Sequence, residues 1–151
     1  MFRNCRMPVG NRPANRIEHR LRAADRNDLH RLQEIARTTL PDAMSLDLAA
    51  LQRDENLFVA EWRTAIDGFL VLLPLQTSLL ISRLAVAEDA RRQGLGAWLL
   101  DCATMHARGL GLVAIEIQRP EHDTIGITWL AKRGFARLPH GGNKVYLTRD
   151  V

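Results

Sequence analysis

The sequence is poor in the residues that build cross-linked or membrane-spanning proteins. It has only two cysteines, Cys5 and Cys102, and no disulfide framework is expected from them. Its longest apolar stretch, residues 69–75, is interrupted by a proline and is far shorter than the ~20 residues of a spanning helix. No secretory or transit-peptide pattern is present. These absences predict a cytoplasmic protein of a reducing compartment, without a membrane partner.

A metal site is not expected either. Cys102 and His106 stand one helical turn apart, but two ligands are too few for a zinc site, and the pair is interpreted as core packing. His19 and His30 are expected to be solvated. The sequence therefore predicts chemistry without a metal ion.

Excess positive charge is confined to one end of the chain. The formal net charge is +4, and residues 1–16 account for it with four arginines and no acid: Arg3, Arg6, Arg12 and Arg16. Taking these four from the 21 basic residues leaves 17, which equals the number of acidic residues. A neutral body does not favour a nucleic-acid partner. Residues 1–16, which show no apolar period, are interpreted as a disordered basic tail, and residues 17–151 as one domain.

Hydrophobic periodicity predicts the order of secondary structure. Strand-like runs occur at residues 17–22, 57–62, 66–73, 78–86, 113–118, 135–138 and 144–148, and helical spacing at residues 25–40, 45–53, 97–107 and 123–133. Asp25 is expected to cap the first helix, and the short link at residues 63–65 predicts an antiparallel hairpin. The predicted fold is α/β with a mixed sheet, in the order βααβββαβαββ.

A glycine-containing loop lies between the strand at residues 78–86 and the helix that follows it. Free N–H groups at the positive end of a helix bind anions, and glycine lets a phosphate approach the backbone closely. The Gly-Lys-Ser/Thr of a P-loop is absent, as is the three-glycine dinucleotide fingerprint. The loop therefore predicts a phosphate site of another kind, and its residues are Arg91, Arg92, Gln93, Gly94, Leu95 and Gly96.

Three segments of the chain together resemble the GNAT superfamily of N-acetyltransferases. Residues 84–96, LAVAEDARRQGLG, are similar to its motif A, V-x-x-x-x-R-x-x-G-x-G, which binds coenzyme A. Residues 21–29, LRAADRNDL, are similar to the opening I-R-x-A-x-x-x-D-L, and residues 131–135, AKRGF, to the closing K-x-G-F. The resemblance spans roughly residues 17–148. It implies a GNAT-like fold and acetyl-CoA-dependent transfer to a primary amine of a small molecule or a protein N-terminus.

The resemblance also implies where coenzyme A binds. In the family the strand before motif A diverges from the strand after its helix, and the pantetheine arm enters the gap between them. Backbone groups of Leu84, Ala85 and Val86 would then bond the pantetheine, and the amides from Arg92 to Ala97 would hold the pyrophosphate. The Arg91 and Arg92 side chains either assist or are ordinary surface charges.

Glu116 is the candidate general base. It stands in the strand at residues 113–118, on the face opposite Val113, Ile115 and Ile117, where a carboxylate needs a cleft or a partner. The tripeptide at residues 115–117 also resembles the L-E-V of the ribosomal-protein N-terminal-alanine acetyltransferases, in which that Glu is the base. The alternative is a Glu near a strand end paired with an arginine.

The sequence departs from the family before the K-x-G-F segment. Members often carry N-x-x-A-x-x-L-Y there, with the Asn contacting coenzyme A and the Tyr protonating the leaving thiolate. The corresponding positions hold Asp123, Gly126, Trp129 and Leu130. Asp123 is thus a candidate cofactor contact, but the tyrosine acid is missing. Tyr146 is interpreted as packing, so the thiolate leaves unassisted or another group such as His122 donates.

Two functions of other classes remain open. One is a non-catalytic acyl-CoA-binding module, which Leu130 favours. The other is an RNA- or ribosome-associated protein that acts through its basic tail. The loops near residues 37–56 and 138–144 should select the acceptor but carry no motif, and a monomer or a homodimer is expected.

Overall fold

The computed structural model describes residues 19–139 and 142–151. Its strands are β1 (Arg20–Ala23), β2 (Leu57–Trp62), β3 (Ala65–Pro74), β4 (Ser78–Val86), β5 (Ala114–Pro120), β6 (Ala136–Arg137) and β7 (Lys144–Asp150). Its helices are α1 (Leu29–Thr39), α2 (Leu48–Arg53), α3 (Leu95–Gly109) and α4 (Thr124–Ala131). The predicted order βααβββαβαββ is confirmed.

The seven strands form one mixed sheet, in the order β1-β2-β3-β4-β5-β7-β6. Strands β4 and β5 are parallel, which requires the crossover that α3 supplies. The pairs β1–β2, β2–β3, β5–β7 and β6–β7 are antiparallel. The expected hairpin between β2 and β3 is present, with a bulge at Ala60/Glu61. The predicted α/β class with a mixed sheet is therefore confirmed.

The chain divides into two compact units, and the described part of the first comprises residues 19–71 and 83–102. Asp25 accepts a hydrogen bond from the Asn27 N–H and forms a capping box with Asp28, so the chain enters α1 through a short 3-10 turn. The helix ends where Leu40 is extended, as expected before a proline. The core of this unit includes Leu21, Leu32, Ile35, Val59, Phe69, Leu70 and Leu99.

The described part of the second unit comprises residues 72–82, 103–139 and 142–151. Asp123 caps α4, because its side chain accepts a hydrogen bond from the Gly126 N–H. Arg149 on β7 donates hydrogen bonds to the Thr104 hydroxyl on α3 and to the Arg133 carbonyl after α4. The core of this unit includes Leu79, Ile81, Ala103, Ala107, Ile115, Leu130 and Leu147.

Several boundaries and burials differ from the sequence predictions. Helix α2 is shorter than predicted and buries Leu48. Helix α3 begins at Leu95, earlier than predicted, because the glycine loop already starts its first turn. Val113 precedes β5 and is 63% exposed, so it is not part of the strand's apolar face. These are errors at element ends, where local sequence preferences are weakest.

The predictions for the basic tail at residues 1–16 and the start of the first strand lie outside the described residues and remain predictions. The same holds for the middle of the predicted final hairpin link. Within the described ranges, no helix is both long enough and apolar enough to span a membrane.

Candidate functional site

The glycine loop has the backbone geometry of an anion-binding turn. Gly94 has φ 76° and Arg92 has φ 65°, both in the left-handed region. Glycine adopts this region without penalty, whereas arginine is strained there, and such strain is concentrated at functional sites. The strand before the loop is fixed, because the Ala87 N–H donates to the Asp67 carbonyl at 2.8 Å. The loop is therefore a defined structure between β4 and α3.

The first turn of α3 presents N–H groups that the helix does not use. The first hydrogen bond of this turn runs from the Trp98 N–H to the Gly94 carbonyl, at 3.1 Å. Helix geometry then leaves the N–H groups of Leu95, Gly96 and Ala97 without an intrahelical acceptor. Together with the positive end of the helix dipole, these groups suit a phosphate.

The two arginines of the loop stand at the surface. Arg91 and Arg92 are both exposed, and in the described part of the chain no salt bridge involves either side chain. Both are therefore available to an anionic ligand.

Strand β4 approaches β3 closely just before the loop. A Cβ added at Gly68 would lie 2.6 Å from the Ala85 carbonyl oxygen, a distance that real Cβ atoms do not show. Because Gly68 has no side chain, the β4 backbone at Ala85 can lie this close to β3. That stretch, with Leu84 and Val86 on either side, is the one the resemblance assigns to the pantetheine.

A cavity of about 510 Å³ opens between α1 and the start of the segment that follows β4. Its walls carry three carboxylates, those of Glu34, Glu88 and Asp89, and two guanidinium groups, those of Arg31 and Arg37. Carboxylates repel phosphate groups. The N–H groups of the α3 terminus are thus the better phosphate site in this unit.

Glu116 lies in the middle of β5, on its half-exposed face. Ile115 and Ile117 on the other face are buried, whereas Ala114, Glu116 and Gln118 are half-buried. In register, Glu116 stands between Leu80 of β4 and Thr148 of β7. Among the residues that the structure describes, Glu116 forms no salt bridge and no side-chain hydrogen bond. The alternative of a structural pair with an arginine thus finds no support, although the catalytic role itself stays a prediction.

Asp123, the candidate cofactor contact, already has two partners. One carboxylate oxygen accepts the Gly126 N–H at 3.1 Å, and the other accepts the Nε of Arg119 at 2.6 Å. Burial would raise the pKa of Asp123, but the hydrogen bonds from Arg119 and Gly126 outweigh it and lower this pKa below its usual range. A contact between Asp123 and coenzyme A remains a prediction.

The position at which the family carries its tyrosine is part of the core. Leu130 is 2% exposed. The neighbouring Trp129 stacks against Arg133, whose guanidinium carbon lies 3.8 Å from the centroid of the Trp129 ring. Tyr146 lies instead on β7, half-buried, opposite Gln118 of β5. From the sequence Tyr146 was interpreted as packing, because the sequence does not show that β7 pairs with β5.

One buried polar cluster was missed. His19 was expected to be solvated, but it is 1% exposed and its Nε2 lies 2.7 Å from the Asp67 carboxylate. Its ring is 6.0 Å from that of Trp98 in the first turn of α3. The expectation for His19 was wrong because its partner Asp67 is 48 residues away in the sequence, so the pairing has no local signal. His30 is exposed, as predicted.

Comparison with known proteins identifies the family. A family model described as an acetyltransferase (GNAT) domain matches residues 53–137, more than half of the chain. The chain therefore belongs to the GNAT acetyltransferase family, as the sequence resemblance predicted. Comparison with curated protein sequences gives no match.

Solved structures of GNAT proteins share the fold. An acetyltransferase of the GNAT family from Listeria monocytogenes has a TM-score of 0.76 at 12% identity, with 97% of this chain and 99% of that chain covered. The PaiA N-acetyltransferase from Thermoplasma acidophilum, in complex with coenzyme A, has a TM-score of 0.72 at 16% identity, with 88% and 99% covered. The ribosomal-protein-S18-alanine N-acetyltransferase from Escherichia coli has a TM-score of 0.70 at 15% identity, with 87% and 93% covered. Identities this low show the fold alone.

Proposed function

We propose that this protein transfers the acetyl group of acetyl-CoA to a primary amine, with Glu116 as general base. The observation that carries the proposal is the first turn of α3, where Gly94 takes a left-handed conformation and three successive N–H groups have no intrahelical acceptor. The solved complex of the PaiA N-acetyltransferase with coenzyme A supports acetyl-CoA as the cosubstrate.

The chain's own groups would divide the binding of coenzyme A between them. The N–H groups from Arg92 to Ala97 would hold the pyrophosphate, with Arg91 and Arg92 adding positive charge nearby. Backbone groups of Leu84, Ala85 and Val86 would bond the pantetheine. No metal ion is required, because a thioester is already an activated acyl donor.

A protonated amine loses two protons on its way to an amide. Glu116 would take the first, which frees the nitrogen lone pair to form a bond to the thioester carbon. The carbon–sulfur bond then breaks, coenzyme A leaves as a thiolate, and the second proton of the nitrogen passes through solvent to that thiolate. An α-amine with a pKa near 8 is easier to deprotonate at pH 7 than a lysine near 10.4, by about 3 kcal/mol. The Val86 N–H is the proposed donor to the oxyanion. The thiol of coenzyme A, with an ordinary pKa near ~8.5, can leave almost unaided.

The likeness to the ribosomal-protein-S18-alanine N-acetyltransferase makes a protein N-terminus one acceptor to test, although it shows only the fold. A suitable assay measures coenzyme A release from acetyl-CoA with L-alaninamide, cadaverine and Nα-acetyl-lysinamide as acceptors. Release above the rate of acetyl-CoA hydrolysis with at least one amine is the expected result.

A second function, acyl-CoA binding without catalysis, is favoured by one observation. Leu130 fills the family's tyrosine position and is buried, so no phenol can act from there. Calorimetric binding of acetyl-CoA with no acetylation of any amine would support this second function and contradict the first.

A further inference from the structure

The pair of strands β5 and β7 has one apolar and one polar face. Ile115, Ile117, Val145 and Leu147 alternate along the two strands and are all buried. The residues between them point to the opposite face, because successive side chains of a strand alternate. This polar face consists of Glu116, Gln118, Tyr146 and Thr148, all of them half-buried.

Register fixes which of these residues are neighbours. Glu116 is paired with Thr148, and Gln118 with Tyr146. Side chains directly opposite each other in an antiparallel pair have Cβ atoms about 4.5–5.5 Å apart, and diagonal neighbours are within reach of an aromatic side chain. Tyr146 is therefore next to Gln118 and diagonal to Glu116. The Thr148 hydroxyl donates a hydrogen bond to the Ile115 carbonyl at 3.2 Å.

This face stands at the level where β5 parts from its parallel neighbour. The recorded pairs between β4 and β5 run from Ser78↔Ala114 to Ile81↔Ile117. Pairs between β5 and β7 continue beyond that point, through Gln118↔Tyr146 to Pro120↔Lys144. Gln118 is thus the first residue of β5 that is paired with β7 and not with β4.

We propose that Gln118 and Tyr146, together with Glu116, bind the primary amine of the acceptor. This inference rests on the proposed function and names the residues that receive its substrate. A primary ammonium group has three N–H donors. The face offers three kinds of oxygen acceptor, a carboxylate, an amide carbonyl and a phenol. The phenol ring adds a surface that attracts a cation.

The arrangement selects primary amines over more substituted ones. Each methyl group on the nitrogen removes one donor and leaves one of the three oxygens without its partner. A quaternary ammonium retains only the attraction to the tyrosine ring. Tyr146 and Gln118 are thus specificity-determining residues, whereas Glu116 also takes the proton.

The sequence offers a direct spectroscopic test, because Tyr146 is the only tyrosine of the chain. Protein labelled with ¹³Cζ-tyrosine gives one tyrosine resonance, which is followed as methylammonium or tetramethylammonium chloride is added at constant ionic strength. We expect methylammonium to shift the resonance saturably, tetramethylammonium to shift it less, and Glu116→Gln to weaken the methylammonium effect. No shift with methylammonium, or equal shifts with both cations, would overturn the inference.

Kinetics supply the second test. Tyr146→Phe, which removes only the hydroxyl, should raise the KM for L-alaninamide about tenfold, the effect of one hydrogen bond to a charged group, and leave the KM for acetyl-CoA unchanged. Thr148→Val is the matched control, since it removes a hydroxyl of the same face that is not one of the three proposed amine acceptors, and it should change neither KM. A KM for L-alaninamide that is the same in Tyr146→Phe as in the wild type contradicts the inference.

The two proposals fail in different ways. If acetyl-CoA does not bind and no amine leads to release of coenzyme A, the proposed function fails. The shift of the tyrosine resonance then remains as the test of whether amines bind at this face. If amines are acetylated but Tyr146→Phe behaves as the wild type, the function stands and this assignment of residues is wrong.

Discussion

The glycine loop and the polar face of β5 and β7 are two candidate binding regions of different construction. The loop is one contiguous segment, Arg91 to Gly96, and it offers mainly backbone N–H groups. The polar face is assembled from Glu116 and Gln118 on one strand and Tyr146 and Thr148 on another, and it offers side chains. A site made of backbone groups depends on the local chain conformation, which glycines and helix starts in the sequence indicate. A site made of side chains from two strands depends on which strands pair, which the local sequence does not indicate.

The largest expected effect tests the loop. Gly94→Val should lower the affinity for acetyl-CoA by about 100-fold or more, because a branched side chain would stand where the phosphate approaches. The left-handed φ of Gly94 means that the substitution also strains the backbone, by about 1–2 kcal/mol. Calorimetric titration with acetyl-CoA measures the affinity.

Gly111→Val is the matched control for this variant. Gly111 has φ 73°, close to that of Gly94, and a Cβ added there meets nothing within 4 Å. The Gly111→Val variant should therefore lose a similar amount of stability as Gly94→Val but keep its affinity for acetyl-CoA. Equal loss of affinity in both variants would show that general strain, and not the loop, explains the result.

The next effect tests the polar face through its candidate base. Glu116→Gln should lower kcat by about 10²-fold, the usual contribution of a positioned general base, while the affinity for coenzyme A is retained. Raising the pH should restore part of the rate, because more of the amine is then already deprotonated. Steady-state kinetics from pH 6 to pH 9 measure both effects.

A structural role for Glu116 would give a different pattern. The variant would then lose thermal stability, and its activity would fall only with the fraction of folded protein. Full kcat in a folded Glu116→Gln protein would refute the catalytic role.

The same contrast explains how much could be predicted from the sequence. The loop, the order of the elements and the cap at Asp25 were predictable because each depends on residues that are neighbours in the chain. The place of Tyr146 beside Gln118 was not predictable, since it follows from the β5–β7 register. The burial of His19 was missed because its partner Asp67 is 48 residues away in the sequence.

Smaller effects are expected from one carboxylate near the start of a helix in each unit. Asp28 is buried, and its two oxygens accept hydrogen bonds from Arg22 at 2.7 and 2.9 Å. The bonds from Arg22 lower the pKa of Asp28 below its usual range, although burial opposes them. Asp28→Asn should therefore reduce the free energy of unfolding at pH 7 by about 2–3 kcal/mol.

The pH dependence gives this prediction its check. A carboxylate whose pKa is lower in the folded state stabilises the protein above the unfolded pKa of about 4, and this contribution is lost as the pH falls through the folded value. Urea denaturation at pH 7 and pH 3 should show a smaller difference between wild type and Asp28→Asn at the lower pH. An equal difference at both pH values would mean that the charge of Asp28 contributes nothing.

The smallest effect is expected at Asp123, the corresponding carboxylate of the second unit. Asp123 is 23% exposed and pairs with Arg119, which is 34% exposed, so solvent weakens this ion pair more than the buried one at Asp28. Asp123→Asn keeps an oxygen that can accept the Gly126 N–H and loses only the charge, which should reduce the free energy of unfolding by about 0.5–1 kcal/mol. The substitution also introduces the asparagine that the family carries at this position, so calorimetry with coenzyme A tests the predicted contact in the same protein. A changed affinity for coenzyme A at nearly unchanged stability would support that contact. A loss of stability as large as that of Asp28→Asn would contradict the expectation that the more exposed ion pair of Asp123 contributes less.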